Sequence, residues 1–223
     1  MTPGEAIRAR TSVRAYTGEP VGKDTVRALL AAAARSPSGG NVQPWKVIAL
    51  AGEAKEAASA AGLAAIAANP GGEDDEAPVY PRGLTEPYRS RRAKVGEDMY
   101  ALLGIPREDR AARMGWLATN FAFFGAPVGL FFVVDRQMGR GQWAHLGMFM
   151  QTLAILAVEA NLGTCMQEAW GMVRRTMHGH LGLPDHEMIY CGMALGHPDR
   201  DAPVNRLVTE RAGPEEFAAF RGF

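Results

Sequence analysis

Two arginines and two hydroxyl residues lie within five positions near the start of the chain, in the segment Arg10-Thr11-Ser12-Val13-Arg14. A guanidinium group donates paired hydrogen bonds in one plane, and a hydroxyl group both donates and accepts. This arginine segment therefore suits a phosphate or the carbonyl oxygens of a ring. An ordinary surface loop is an equally good interpretation of the segment taken alone.

A second polar segment, S-P-S-G-G-N-V-Q-P-W at Ser36–Trp45, combines a stiff backbone with room for a ligand. Its two prolines restrict the backbone, its two glycines allow close approach, and its polar side chains suit a polyhydroxyl chain. The residues of this glycine loop that we single out are Pro37, Ser38, Gly39, Gly40, Asn41 and Gln43. A third candidate, Asn205-Arg206, lies near the end of the chain, where an isolated arginine is usually a surface residue.

Residue patterns for side-chain catalysis are missing from the sequence. The chain has no Gly-x-Gly-x-x-Gly, P-loop or Gly-x-Ser-x-Gly pattern, and its five histidines lack metal-ligand spacing. If the protein is an enzyme, we therefore expect a bound cofactor to carry the reaction.

The composition is that of a single globular domain. The chain has 223 residues, 47% of them hydrophobic, and its 24 basic side chains balance its 24 acidic ones. Zero net charge argues against a protein that binds nucleic acid or an anionic membrane. The two cysteines, Cys165 and Cys191, form no CxxC pair and are expected to be buried apolar residues. The pattern contains neither a signal peptide nor a membrane span, so we expect a cytoplasmic protein.

Hydrophobic periodicity predicts the elements that must position the candidate residues. Helices are predicted at 2–10, 23–35, 52–68, 86–103, 106–121 and 142–161, and strands at 45–50, 128–134 and 188–195. A capping box, Thr2-Pro3-Gly4-Glu5, opens the first helix. The polar break at 69–76 is predicted to be a mobile loop, and the chain as a whole a mixed α/β domain in which helices dominate.

Two apolar features predict contacts beyond a simple core. The helix at 142–161 is apolar nearly all the way round, which predicts a core helix, a subunit interface, or both. The tail at 196–223 has no regular pattern, yet it ends in Phe217, Phe220 and Phe223. Because aromatic side chains are costly to leave in water, we expect the tail to wrap a surface, such as that of a second subunit.

Together these motifs resemble the FMN-dependent nitroreductase-like family over essentially the whole chain. The marks are R-T-S-V-R-A-Y (Arg10–Tyr16), the glycine loop, A-P-V-G-L-F-F (Ala126–Phe132) and C-G-M-A-L-G (Cys191–Gly196). The runs E-P-Y-R-S-R-R-A-K-V-G (Glu86–Gly96) and D-A-P-V-N-R-L-V-T-E-R (Asp201–Arg211) are similar to the nitrobenzoate reductase branch.

The resemblance implies an α+β nitroreductase-like fold with a central, mostly antiparallel sheet surrounded by helices. It implies an intertwined homodimer with two FMN sites at the interface. Residues 1–223 would form one FMN-binding domain, with an insertion at about 69–113 covering the active site.

Site residues follow from the same resemblance. Arg10 and Ser12, in one segment with Thr11 and Val13, would bind phosphate and ribityl oxygens, and Arg14 would reach the pyrimidine edge of the flavin. Arg206 matches the tail position that holds phosphate. The glycine loop would lie against the ribityl chain and ring of the second subunit's cofactor. The backbone at Glu168 and Ala169 matches the segment whose N–H faces flavin N5.

The activity implied is that of an NAD(P)H-dependent oxidoreductase that reduces nitroaromatic compounds, such as nitrobenzoate, by two-electron hydride transfer. NADH and NADPH are both left open as the donor. Two alternatives also stay open: the same fold reducing another acceptor by dehalogenation, enone reduction or flavin reduction, and a flavin-binding protein without turnover.

The acceptor is expected to be a small aromatic molecule that contacts the insertion. Tyr88 would stack on its ring, and one of the arginines Arg82, Arg89, Arg91 and Arg92 would bind its carboxylate. A solvated basic face is the competing interpretation of these cations. The chain departs from the family pattern in Met166, where many relatives have proline, and in Val204-Asn205, where some carry a second cation.

Overall fold

A four-stranded antiparallel sheet forms the centre of the protein, which a computed structural model describes over residues 1–73 and 77–223. The strands are β1 (Lys46–Ala51), β2 (Val128–Asp135), β3 (Gly163–Gln167) and β4 (Glu187–Gly196), in the order β1-β2-β4-β3. The predicted antiparallel sheet is thus confirmed. Part of the loop predicted at 69–76, namely 74–76, lies outside the described residues.

Strands β2 and β4 lie in the middle because their sequences are apolar on both faces. Leu130, Phe132 and Val134 of β2 pack into one core cluster with α2 (Lys23–Ala33) and α6 (Arg140–Glu159). The intervening Phe131 and Val133 pack on the opposite side, with α3 (Gly52–Ala68) and α7 (Arg174–His180). Successive side chains of a strand point to opposite faces, so the continuous apolar run fills two cores and the sheet is covered on both sides.

The remaining helices frame the candidate site. Helix α1 (Pro3–Ala9) begins with the predicted capping box, in which the Thr2 hydroxyl accepts from the Glu5 N–H and the Glu5 carboxylate accepts from the Thr2 N–H. It ends immediately before the arginine segment. The insertion contains α4 (Tyr88–Leu102) and the start of α5 (Arg110–Ala118). The tail contains a 3₁₀ helix, Pro203–Arg206, and a short α-helix, α8 (Pro214–Phe217).

The structure departs from the predicted elements at β3 and at the end of α5. The run G-T-C-M-Q has no alternating pattern, and β3 forms because residues such as Cys165 pair with β4. The helix predicted at 106–121 gives way at Thr119 to a 3₁₀ segment in which Phe123 and Phe124 have φ of 51° and 53°. The left-handed bend lays the Phe123 ring over Gly129, where a Cβ atom would lie 2.5 Å from it. Core packing thus overrides helix periodicity there.

The chain by itself does not cover the two apolar features noted in the sequence. Helix α6 buries one face, while Met148 on its other side is 47% exposed. Phe217 and Phe220 are more than 70% exposed, and Phe223 is fully exposed.

Cys165 and Cys191 are buried free thiols, as the sequence predicted. Within the described residues, no helix has the length and apolarity needed to cross a membrane.

Candidate functional site

The arginine segment lies along β3 and behaves as a short edge strand. The Val13 N–H donates to the Thr164 carbonyl at 2.9 Å, and Ser12 bridges Thr164 in parallel orientation. Val13 is buried, and a Cβ atom on Gly163 would lie 2.5 Å from its side chain. Because side chains alternate along extended backbone, burial of Val13 turns Ser12 and Arg14 to the other side.

Asn205 connects the arginine segment to the tail. Its carboxamide oxygen accepts from the Arg14 N–H at 2.7 Å, and its amide donates to the carbonyls of Ala15 and Asp199 at 2.8 Å each. One side chain therefore holds segments 191 positions apart in sequence. Because Asn205 is next to Arg206 in sequence, this network places the backbone at Arg206 near that of Arg14.

Four arginines at this junction, Arg10, Arg14, Arg206 and Arg211, have no carboxylate partner within the described residues. Three of them donate side-chain hydrogen bonds to backbone carbonyls and one hydroxyl: Arg14 to Ser12, Arg206 to Asp201, and Arg211 to Thr209 and Glu210. Burial lowers the pKa of Arg10, and the nearby charge of Arg211 lowers it further. The fourth cation, Arg211, was not predicted from the sequence. Like charges gathered without counter-ions favour an anionic ligand.

A cleft of about 890 Å³ opens beside this cluster, within the size range of small-molecule sites. Arg14 lines it together with the end of β3 and the residues that follow, Cys165, Met166, Gln167, Glu168 and Ala169. Burial raises the pKa of the Cys165 thiol, and the charges of Arg14 and Arg10 oppose that rise, so both guanidinium groups lie near the cleft floor. The predicted Arg14, Glu168 and Ala169 therefore share one cleft.

Gln167 belongs to this cleft floor and was not singled out in the sequence. It is 1% exposed, and its amide donates to the Asn120 carbonyl at 2.7 Å. Among the residues that the structure describes, its carboxamide oxygen has no hydrogen-bond partner. A buried acceptor left without a donor is unfavourable, which indicates that a ligand or water completes this part of the site. Burial also raises the pKa of the neighbouring Glu168 carboxyl.

The insertion contributes the other part of the lining. Its residues Tyr80, Arg82, Arg92 and Tyr100 line the cleft beside Trp116 of α5, and the Arg92 guanidinium lies 3.8 Å from the centre of the Tyr80 ring. Of the acceptor residues predicted from the sequence, Arg82 and Arg92 line the cleft, whereas Tyr88, Arg89 and Arg91 do not. Tyr88 is 60% exposed at the start of α4, and Arg89 binds Glu86 instead.

The glycine loop lies on one face of α6, away from this cleft lining. The Gly39 N–H donates to His145 Nε2 at 3.4 Å, Trp45 stacks on Phe149, and the Ser36 hydroxyl donates to Thr152. Positions 145, 149 and 152 lie on one face of a helix, so α6 supports the loop along two turns. Asn41 and Gln43 have φ near +50°, a conformation that such support helps to hold.

The donors present fit FMN in their chemistry. A phosphate requires cations without counter-ions, which the junction of Arg10, Arg206 and Arg211 provides, and a ring with carbonyl and nitrogen atoms requires donors along one edge, such as Arg14. A cleft lined by aromatic side chains, with Arg14 of the cationic junction in its lining, suits a planar, anionic cofactor.

Comparison with known proteins makes the assignment more specific. The family model described as "Nitroreductase family" matches residues 7–197, and the chain belongs to that family. It is 36% identical to the nitrobenzene nitroreductase of Ectopseudomonas oleovorans over 97% of this chain and 95% of that protein. It is 37% identical to a 4-nitrobenzoate reductase of Pseudomonas putida over 97% and 94%.

A solved structure agrees with these relatives. The fold matches that of the FMN and NADPH-dependent nitroreductase NfnB from sphigopyxis sp. strain HMH with a TM-score of 0.97, 43% identity and full coverage of both chains. Membership of the nitroreductase family, expected from the sequence motifs, is therefore confirmed.

Proposed function

We propose that the protein is an FMN-dependent NAD(P)H oxidoreductase that reduces nitroaromatic compounds. The observation that carries the proposal is the junction of Arg10, Arg14, Arg206 and Arg211, which has no carboxylate partner in the described residues and opens into the cleft. The names of the relatives, nitrobenzene nitroreductase and 4-nitrobenzoate reductase, support the acceptor class. A cytoplasmic location is part of the proposal because NADH and NADPH are produced there.

Bound FMN would supply hydride transfer between nicotinamide and acceptor. The protein's own residues bind and orient it: Arg10 and Arg206 hold the phosphate, and Ser12 contacts the ribityl oxygens. The Arg14 guanidinium stabilises negative charge at the pyrimidine edge, and the backbone N–H groups at Glu168 and Ala169 donate to the ring. Conversion of a nitro group to a nitroso group takes up two electrons and two protons and releases water, so the cleft must also admit protons from solvent.

The purified protein tests this function directly. We expect it to be yellow, to bleach anaerobically when NADH or NADPH is added, and to regain its colour when a nitroaromatic compound is added. Recovery only with an enone, a halogenated aromatic or free flavin would replace the acceptor class by one of the alternatives. A yellow protein that neither donor bleaches would be a flavin-binding protein, and a preparation that cannot take up FMN would overturn the proposal.

We further propose that the protein works as a homodimer in which the glycine loop of each chain completes the site of the other. Two observations support this. The glycine loop does not line the cleft of its own chain, so it is available to a second chain. Met148 of α6 and the aromatic side chains of the tail are exposed apolar groups. Exposed apolar surfaces of this kind mark interfaces between subunits.

Light scattering during gel filtration checks the dimer. Wild type should have the mass of two 24.0 kDa chains. Met148→Glu should shift the protein towards monomer and weaken FMN binding at the same time, because a carboxylate at an apolar interface is costly to desolvate. Leu63→Glu, a change on partly exposed α3, is the matched control and should leave both unchanged. A monomeric wild type that binds FMN would contradict the proposal.

A further inference from the structure

The cations of α4 differ in how they are neutralised. Arg89, Arg91 and Lys94 each bind a carboxylate, whereas Arg92 forms no ion pair within the described residues and instead lies over the Tyr80 ring. Of these four side chains, Arg92 is the one that lines the cleft. The carboxylate partners are Glu86 for Arg89 at 2.8 Å, Glu216 for Arg91 at 2.7 Å and Asp98 for Lys94 at 2.8 Å.

The stacked position leaves Arg92 able to bind an anion. A guanidinium over an aromatic ring uses its face, and its N–H donors point outward in the plane, where a carboxylate can accept two of them. Stacking also restricts the long side chain before a ligand binds, which reduces the entropy lost on binding. Tyr80 therefore acts as a support for Arg92 at the cleft.

The two acidic residues in the described cleft lining do not pair with Arg92, so its guanidinium can bind a ligand. The Glu73 carboxylate accepts from the N–H and the hydroxyl of Thr176, which keeps it engaged with α7. Glu168 is the other acid in the described lining, and burial raises the pKa of its carboxyl, which favours its neutral form. Neither residue forms an ion pair with Arg92.

We propose that Arg92, held over Tyr80, binds the carboxylate of an anionic nitroaromatic acceptor and thereby selects nitrobenzoates over neutral nitroarenes. The inference rests on the proposed function and names the substrate class of the same cleft. The sequence predicted that Tyr88 stacks on the acceptor ring. In this proposal the important tyrosine is Tyr80, and it supports Arg92 instead of contacting the acceptor. Relatives are named for both kinds of acceptor, nitrobenzene and 4-nitrobenzoate, so membership of the family does not by itself assign the preference.

Equilibrium binding to the oxidised, FMN-containing protein tests the inference without turnover. Calorimetric titration with 4-nitrobenzoate and with nitrobenzene gives two dissociation constants. Arg92→Met should raise the dissociation constant for 4-nitrobenzoate about 5-fold, the loss expected for an exposed charge-assisted contact, and change that for nitrobenzene less than about 2-fold. Arg92→Lys should be intermediate, because it keeps the charge but loses the planar pair of donors. Tyr80→Ala should resemble Arg92→Met, and Tyr80→Phe should resemble wild type.

Arg110→Gln is the matched control, since Arg110 is an exposed arginine of the same insertion that does not line the cleft. It should bind both compounds as wild type does. Equal losses for the two compounds in Arg92→Met would overturn the inference and make Arg92 a structural part of the cleft wall. A raised KM for NADPH with unchanged nitrobenzoate binding would overturn it as well, by assigning Arg92 to the donor. In either case a yellow protein that NADPH bleaches would leave the proposed function standing, whereas failure to bind FMN would remove it.

Discussion

Replacing Arg10 with methionine is expected to weaken FMN binding about 10-fold to 100-fold, which corresponds to the 1.5–3 kcal/mol of a hydrogen bond to a charged group. Arg10 is half-buried at the junction, and no carboxylate in the described part of the chain pairs with its guanidinium. Methionine preserves the apolar stem while removing the charge, so the loss reports the phosphate contact and not the packing. Quenching of FMN fluorescence on titration with apoprotein measures the dissociation constant.

The apoprotein should respond in the opposite direction. Arg10 and Arg211 repel each other when no anion is bound, and burial adds to the cost of the Arg10 charge. The thermal midpoint of the Arg10→Met apoprotein should therefore equal or slightly exceed that of wild type, while the increase on adding FMN becomes smaller. Arg8→Met, on the exposed face of α1, should change neither quantity. A lower apoprotein midpoint together with unchanged FMN affinity would mean that Arg10 is a structural residue.

Replacing Asn205 with alanine is expected to destabilise the apoprotein by about 2–3 kcal/mol, because a partly buried N–H and two carbonyls lose their partners at once. The affected groups are the Arg14 N–H and the carbonyls of Ala15 and Asp199. Urea unfolding of the apoprotein measures the free energy of unfolding. FMN affinity should fall as well, since the side chain positions Arg14 and the tail relative to each other.

Asn205→Asp separates the two kinds of contact. An aspartate can still accept from the Arg14 N–H, but it cannot donate to the two carbonyls, and its charge is repelled by them. It should therefore also be destabilising, while Asp185→Ala, at an exposed loop position, should lie within about 0.5 kcal/mol of wild type. If Asn205→Ala unfolds at the urea concentration of wild type, the connection between the two chain ends is not made by this side chain.

Asn205 also explains one departure of the sequence from its family pattern. The absence of a second cation at Val204-Asn205 predicts weaker neutralisation of the phosphate. In the structure Val204 is buried and Asn205 connects the two ends of the chain, so neither position is free to face an anion. Arg211 near Arg10 supplies a further positive charge at the junction. The sequence does not reveal that Arg211 takes the place of the missing cation. Arg211 is five positions away from Arg206, in a segment without regular structure, and only the folded tail places it near Arg10.

The sequence does not show which arginine of α4 is available to bind an acceptor. Composition marks the insertion as rich in arginine, but it does not say which cations have carboxylate partners. Glu86 binds Arg89, and Glu216, which lies far along the chain, binds Arg91. Arg92 is left facing Tyr80, a residue outside the helix.

The sequence by itself determined the chemistry of the protein and its central layer. Arginine and hydroxyl spacing predicted an anion-binding segment, and the continuous apolar runs of β2 and β4 predicted strands buried on both faces, since these follow from residue type and local period. Tertiary structure alone decided that Arg10 and Arg14 have no carboxylate partner among the described residues, that G-T-C-M-Q becomes a strand, and that Gln167 and Tyr80 line the cleft. These features depend on contacts between segments distant in sequence, and local patterns carry no information about which distant segments meet.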